Sequence, residues 1–295
     1  MDTPLVSVIV VAYNSSKYIL GTLQSIYNQT YQNIELIVTD DHSTDDTVFV
    51  CKNYRNQYGN RFVRTEIVES LVNTGVSAND NRGLMASSGE WIKYIAGDDL
   101  LEPDCIEKFV KYISKYDAGF VFSNINQLIN GVISKQPVPN QAIAFFKLSA
   151  EEQYKRLIED GIAINLSPSA FIKASILKQN PFDERFKFQD DYPKFVDLTK
   201  KGVKLHFMDE YTTTYRMTDS LSNSYSRFYS PKFMDSEYLF YLMVRKPELE
   251  RFDFNNAISK AEKKYLIYLF SLYRLNNKRT FLNRVRKKIF DLFLR

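Results

Sequence analysis

The sequence predicts an α/β fold: a Rossmann-like, mostly parallel central sheet flanked by helices, with a helical C-terminal extension. Three observations carry that prediction. Short β-branched apolar runs alternate with segments of helical period through about the first 125 residues, acidic and turn-forming residues stand where those runs stop, and only helical periodicity remains beyond about residue 230.

The run from Val6 to Ala12 stops at Asn14-Ser15-Ser16, and Tyr18, Leu23, Ile26 and Tyr27 then recur at helical spacing, so a strand leads into a helix. Ile34 to Thr39, followed by a helix over about 44–58, repeats the unit. Phe62 to Val68, followed by a helix over about 75–87, repeats it again. A fourth strand over 91–95, a helix over about 102–116 and a fifth strand over 119–123 complete the alternation. Such βαβ units cross over with a right hand and build a mostly parallel sheet, which hosts many chemistries and by itself decides none. Gly131, Pro137 and Pro139 predict a hairpin or a mobile connection over 130–141. Beyond it, a helix is expected near 151–159, a strand at 170–172, a helix over 190–200 ended by Gly202, and a strand at 203–207. Two longer helices, about 231–244 and 254–275, precede the tail. The expected division is an α/β domain over 1–225, with halves at 1–125 and 126–225, and a helical extension over 226–295.

Composition supports a globular chain: 44% of residues are hydrophobic, and an aromatic share of 15% rests on 20 Tyr and 22 Phe beside the single Trp91. No apolar run approaches the roughly 20 residues that span a bilayer, and the start, Met1-Asp2-Thr3-Pro4, does not read as a signal peptide, so a cytoplasmic protein is expected. Two cysteines, Cys51 and Cys105, are too few for a disulfide scaffold or a zinc site, and His42 and His206 too few for a histidine cluster. The net charge of +4 is concentrated at one end: residues 278–295 carry seven cations and one anion, Asp291. There Phe281, Val285, Ile289 and Leu292 recur at helical spacing with Leu282 and Phe293, while Arg284, Arg286, Lys287 and Lys288 take other faces. Such a basic amphipathic helix suits either an anionic membrane surface or packing on the protein body. Confinement of the basic charge to the tail argues against a nucleic-acid partner.

Acidic pairs mark the candidate chemistry. Asp98-Asp99 stands where the fourth apolar run stops, at the strand end where open α/β sheets bind ligands, placed to hold a hard cation and through it a phosphate, or to make an ordinary acidic turn and helix cap. After the first strand, Ala12 leaves room for a planar ligand and Tyr13 can flank a base, or simply pack. After the second, Asp40 is placed to accept a hydrogen bond from a base N–H such as N3 of uracil, while Ser43, Thr44 and Asp45 suit helix capping. Asp190-Asp191, ahead of Pro193, reads from the residues alone as a helix N-terminal cap.

Taken together, these segments resemble glycosyltransferase family 2 with its GT-A fold. The resemblance runs in order through Val6–Asn14, Asn28–Tyr31, Glu35–Asp45, Asn73-Thr74-Gly75, Asn81-Arg82-Gly83, Ala86–Ile92 and Ala96-Gly97-Asp98-Asp99. It is close over about 5–125 and thins to scattered matches up to about 222. It implies that Ala12, Tyr13, Asn14 and Asp40 hold the nucleotide, that Asp98 and Asp99 lie at the ribose and a metal-bound diphosphate, with Asp99 the stronger metal ligand, and that the metal is Mn²⁺ or Mg²⁺. It also implies that Asp191 is the catalytic base, that Asp190 holds the acceptor, and that Arg216 in Thr214–Ser222 contacts phosphate.

Three positions depart from the family pattern. Asp80 stands where an Arg is common, which leaves a phosphate or base contact missing or supplied by Arg82; Ala96 replaces a leading Asp of the metal motif; and Thr218 replaces a His. The resemblance therefore implies an inverting, metal-dependent transferase that moves a sugar from a nucleotide sugar, a UDP-sugar by expectation, to a hydroxyl of a glycan or lipid-linked glycan in bacterial surface polysaccharide synthesis. It would work in the cytoplasm or on the inner face of the cytoplasmic membrane. The alternative is a nucleotide-sugar-binding scaffold whose departures have cost it catalysis.

Overall fold

The computed structural model describes residues 3–161, 166–217 and 226–294. Strand β1 (Val6–Ala12) is apolar on both faces because it runs through the middle of the sheet, paired in parallel with β2 (Ile34–Asp40) and β4 (Trp91–Ala96). Helix α1 (Ile19–Tyr27) joins β1 to β2, α2 (Thr47–Tyr58) joins β2 to β3 (Thr65–Glu69), and α3 (Val76–Ala86) joins β3 to β4. After the two-residue β5 (Leu100–Leu101) and α4 (Cys105–Lys115), the chain forms the ten-residue β6 (Phe120–Ile129) and β7 (Val132–Gln136). Those two strands make a hairpin turned at Asn130 and Gly131, both at positive φ, so the hairpin alternative holds at 130–141.

Helices α5 (Asn140–Lys147) and α6 (Ala150–Asp160) follow, then β8 (Phe171–Lys173), α7 (Ala174–Gln179), α8 (Asp191–Lys200) and β9 (His206–Arg216). The strand order is β3-β2-β1-β4-β8-β6-β9-β5, with β7 on β6. The sheet is parallel from β3 to β4 and again between β6 and β9, but β8 enters between β4 and β6 antiparallel to both. Above one face the aromatic rings of Trp91, Phe171 and Phe109 stack at 5.1 and 4.8 Å. Val8, Val10, Ile26, Leu36 and Ile106 extend the same core. Gly83 lets α3 sit close to the sheet, since a Cβ there would lie 2.5 Å from Ile9 Cγ2.

The chain divides into two compact units, Met1–Tyr154 with Ala163–Met217 and Lys155–Ile162 with Thr218–Arg295. The division falls at 217, where the expected boundary stood at 225, and segment 155–162 groups with the C-terminal helices. In that second unit α9 (Pro231–Phe240) continues through a π-helical turn, Tyr241–Arg245, into α10 (Lys246–Arg251), followed by α11 (Asn255–Arg274) and α12 (Phe281–Phe293). Arg245 explains the grouping: Nε donates to Ile158 O at 2.7 Å and Nη2 to Glu159 O at 2.9 Å, satisfying carbonyls at a helix end. No described helix is long and apolar enough to cross a membrane.

A buried carboxylate fixes the strand starts. Glu35 on β2 accepts from Ser7 Oγ of β1, from Ser88 N and Oγ at 2.5 and 2.7 Å, from Gly89 N at 2.9 Å and from Arg64 Nε at 3.1 Å. Burial pushes the Glu35 carboxyl up, but the Ser7, Ser88 and Gly89 hydrogen bonds outweigh it and leave the group below its ordinary value of 4.5. Glu35→Ala should cost about 3 kcal/mol in urea unfolding at neutral pH, because it orphans several donors. A depressed folded value makes the contribution full above the ordinary range and lost as pH falls through the folded value. The wild-type advantage over Glu35→Gln should therefore shrink below about pH 4.5.

Candidate functional site

Register sets the first part of the site. Ala12 lies opposite Asp40 and Val11 opposite Ala96, so the exits of β1, β2 and β4 are level at the carboxyl edge. Ala12 is buried, and its carbonyl accepts from Asp41 N at 3.0 Å and Asn79 Nδ2 at 3.3 Å. Tyr13 is 51% exposed. Asn14 takes φ +49°, a conformation asparagine tolerates, and ties this exit to the next: its N donates to Ser43 Oγ and its Oδ1 accepts from Thr44 N, each at 2.8 Å. Asp40 is buried and accepts from Ser43 N at 2.8 Å and from Ser43 Oγ. A carboxylate has about four lone-pair sites, so capacity remains for one base N–H.

The adjacent Asp41, which sequence reasoning passed over, organises the next loop. It accepts from Thr74 N at 2.9 Å, Thr74 Oγ1 at 2.6 Å and Gly75 N at 2.8 Å. Gly75 stands at φ +95°, where a Cβ would meet Lys187 O at 2.6 Å. Arg82, expected at the nucleotide, has partners within the chain: Nη1 donates to Asn79 Oδ1 at 2.6 Å, Nη2 to Thr74 Oγ1 at 2.9 Å, and Asp41 Oδ1 lies 3.7 Å away. With those partners it braces the loop that Asp41 organises.

The second part is the corner after β4. Asp99 is buried and Asp98 half-buried. Arg216 at the end of β9 reaches both: its backbone N donates to Asp99 Oδ1 and its Nε to Asp98 O, each at 2.8 Å, while its guanidinium lies 4.7 Å from the Tyr18 ring centroid. Arg216 thus lies on a strand beside the acidic pair, and the neighbouring Thr218 falls outside the described residues. Burial, then the Asp98 charge, push the Asp99 carboxyl up to about 8, against the Arg216 N–H, Lys93 and the Arg216 charge. Lys93 of β4, also missed from sequence, is fully buried; its Nζ donates to Tyr94 O at 2.7 Å and Pro168 O at 2.6 Å, and burial pushes it down to about 8.

The third part is built by α3 and α8. Polar side chains of α3 clamp the segment leading to α8: Ser77 Oγ donates to Phe186 O at 2.8 Å, Asn81 Nδ2 to Phe182 O at 2.9 Å, and Asn81 Oδ1 accepts from Phe182 N at 2.8 Å. Asp190 is the N-cap residue of α8 without a side-chain capping bond, and Asp191 opens the first turn. Asp191 accepts from Ser167 Oγ and Tyr192 N, both at 2.6 Å. Asp80 of α3 is buried and shares a side-chain hydrogen bond with Asp190, which requires a proton on one of the two carboxyls. Burial, then Asp190, push Asp80 well above its ordinary value. Burial, then Asp191, push Asp190 up to about 7. Tyr94 on β4 closes the cluster, its hydroxyl donating to Asp80 O at 3.2 Å. Asp80, the departure from the expected Arg, is thus the third carboxyl of this group.

The family model described as glycosyl transferase family 2 matches residues 7–180, which is more than half of the chain. The chain belongs to glycosyltransferase family 2. An uncharacterized glycosyltransferase of Haemophilus influenzae is 40% identical over 116 residues, 39% of this chain and 35% of that protein. Another uncharacterized glycosyltransferase, from Methanocaldococcus jannaschii, is 26% identical over 220 residues, 74% of this chain and 72% of that protein. The chain thus spans about a third of the length of the first relative and most of the second. The crystal structure of residues 1–349 of TarS from S. aureus, in complex with UDP-GlcNAc, matches at TM-score 0.61 and 21% identity, covering 92% of this chain and 74% of that one. The shared fold is GT-A, a mixed α/β sheet flanked by helices.

Within this family 2 chain, the donor set for a cation consists of oxygens alone. Among the described residues no group of three or more His, Cys, Asp or Glu side chains is placed to hold a metal ion. Asp98 and Asp99 would offer a cation carboxylate oxygens, a donor type that suits a hard ion, and with no third ligating side chain grouped with them they form no all-protein cage.

The Asp80–Asp190 pair predicts a pH dependence of stability. Both folded values lie above the ordinary aspartate value of 3.8, so the folded chain binds more protons than the unfolded chain as pH rises from there. Stability should fall as pH rises through about 7, and Asp190→Asn should flatten that decline in thermal melts across the range.

Proposed function

We propose that the chain is an inverting glycosyltransferase that moves a sugar from a UDP-sugar to a hydroxyl of a glycan or lipid-linked glycan, as in surface polysaccharide synthesis. The observation that carries this reading is the pair of acidic centres in one compact unit, Asp98-Asp99 with Arg216 at the end of β4 and Asp190-Asp191 with Asp80 at the start of α8. Family membership supports transfer, and the UDP-GlcNAc bound by the TarS structure supports a uridine donor.

In this reading Tyr13 flanks the base over the small Ala12, and Asp40 accepts its N–H. Asn14 holds the two strand exits together beneath the nucleotide. Arg216, steered by Tyr18 and the Asp98 carbonyl, places positive charge at the diphosphate. Asp98 and Asp99 would hold a divalent cation, which when bound offsets the negative charge gathering on the leaving diphosphate. Asp191 takes the proton of the acceptor hydroxyl while that oxygen bonds to the anomeric carbon from the face opposite the breaking bond to phosphate. Ser167 and the Tyr192 N–H hold the Asp191 carboxylate in position, and the α8 N-terminus favours its charge. Asp190 is placed beside it to bind the acceptor.

A panel of nucleotide sugars, read by released nucleoside diphosphate with Mn²⁺ present, tests the reading. Turnover with a UDP-sugar that disappears with chelator and returns with Mn²⁺ is expected. Asp191→Asn should bind UDP nearly as well as the wild type and lose activity on the order of a thousandfold. Full turnover in that variant would show that another group is the base. UDP binding without turnover on any donor or acceptor would favour the catalytically silent scaffold.

A further inference from the structure

Helix α12 spans Phe281–Phe293, about 20 Å at 1.5 Å per residue. At about 100° per residue its side chains separate into two faces. One face is held against its own unit. Asn283 Nδ2 donates to Leu275 O and Lys278 O at 3.0 Å, and Lys287 lies over the rings of Phe228 and Tyr229 at 5.6 and 5.2 Å. Phe290 stacks on Phe270 at 4.1 Å, and Asp291 pairs with Lys263 at 3.4 Å. Three of these four anchoring residues are polar or charged.

The apolar arc points elsewhere. Phe281, Leu282, Val285, Ile289, Leu292 and Phe293 occupy about a third of the circumference and are 41–90% exposed. Arg284 and Lys288 border this arc on one side and Arg286 on the other, all three exposed and without an ion pair among the described residues. A helix of a soluble domain ordinarily turns its apolar stripe inward. This one turns a mostly polar face inward and leaves the stripe bare, edged by cations on both sides.

We propose that α12 is a membrane-surface anchor, lying in the plane of an anionic leaflet with its apolar arc among the acyl chains and Arg284, Arg286 and Lys288 at the lipid phosphates. Charge selects this occupant over a second copy of the chain. A two-fold pairing of α12 on itself would bring those three cations up to the same three of the other copy, and the single anion of the helix, Asp291, is already paired with Lys263. An open cavity of about 630 Å³ beside the helix start, lined by Arg227, Lys278 and Arg279, extends the positive surface. The inference stands apart from the proposed transfer reaction, since adsorption needs neither donor nor acceptor.

The test is co-sedimentation of the full chain with vesicles of phosphatidylcholine alone or mixed equally with phosphatidylglycerol, at physiological salt and again at high salt. Binding to the mixed vesicles, weakened by salt, is expected. The triple variant Arg284→Gln, Arg286→Gln, Lys288→Gln should bind roughly a hundredfold more weakly. Ile289→Asn, on the exposed arc and remote from the anchoring contacts, should also weaken binding while leaving the thermal melt unchanged. Absence of binding to mixed vesicles, or equal binding to neutral ones, would overturn the proposal. So would a dimer in sedimentation velocity that Ile289→Asn dissociates in a chain that ignores vesicles, because the arc would then be a self-association face.

Discussion

The site depends on one constraint, the in-register parallel pairing of β1 with β2 and β4. Because Ala12 faces Asp40 and Val11 faces Ala96, three chain exits arrive at the same level of the sheet. A slip of one residue in either pairing would turn alternate side chains to the opposite face and separate Asp40 from the loop that holds Asp98 and Asp99. Glu35 secures the opposite ends of the strands, bonding Ser7 on one side and the Ser88-Gly89 turn before β4 on the other. The carboxyl edge can therefore be made of loops and acidic groups without the sheet losing its alignment.

That edge concentrates charge where water is scarce. Asp99 and Lys93 are both pushed toward neutrality by burial, as are Asp80 and Asp190. Groups so perturbed are expensive to retain for stability alone and cluster where ligands bind. The two centres differ in kind. At the β4 corner the carboxylates stand beside Arg216 and Lys93, whereas at the start of α8 three carboxyls, Asp80, Asp190 and Asp191, meet and burial pushes the first two up. An Arg at position 80 would have balanced the same carboxylates with a fixed charge, and here a third carboxyl stands in its place.

Strands β1, β2 and β4 were legible because each is largely buried on both faces and reads as an apolar run that Ser7, Glu35 or Lys93 interrupts without breaking. Strands β6 and β9 were only half legible. Their outer portions look like loop, yet Asn124, Asn126 and Gln127 pair with Tyr211, Thr214 and Tyr215, while Asp209, Glu210 and Thr212 fall at two register shifts beside Asn124. The direction of β8 was not legible either, because a three-residue apolar run carries no information about the orientation of its partner. Acidic pairs at element ends stood out by type and position, which marked Asp98, Asp99, Asp190 and Asp191. Lys93 and Asp80 did not, since their meaning comes from burial: one lies inside the apolar run of β4, and the other looked like a simple loss. The bracing contacts of Arg82 were equally illegible, because its partners Thr74, Asn79 and Asp41 meet only after folding.

The stacked ring of Trp91 has a consequence of its own. It is the only indole in the chain, and it sits on β4 where the parallel half of the sheet meets the antiparallel β8, face to face with Phe171 at an interplanar angle of 1°. Emission excited selectively from that indole comes from this seam and from nowhere else in the molecule. The protein thus carries a native optical reporter at the junction between the strands that lead to Asp40 and Asp99 and those that lead to Arg216.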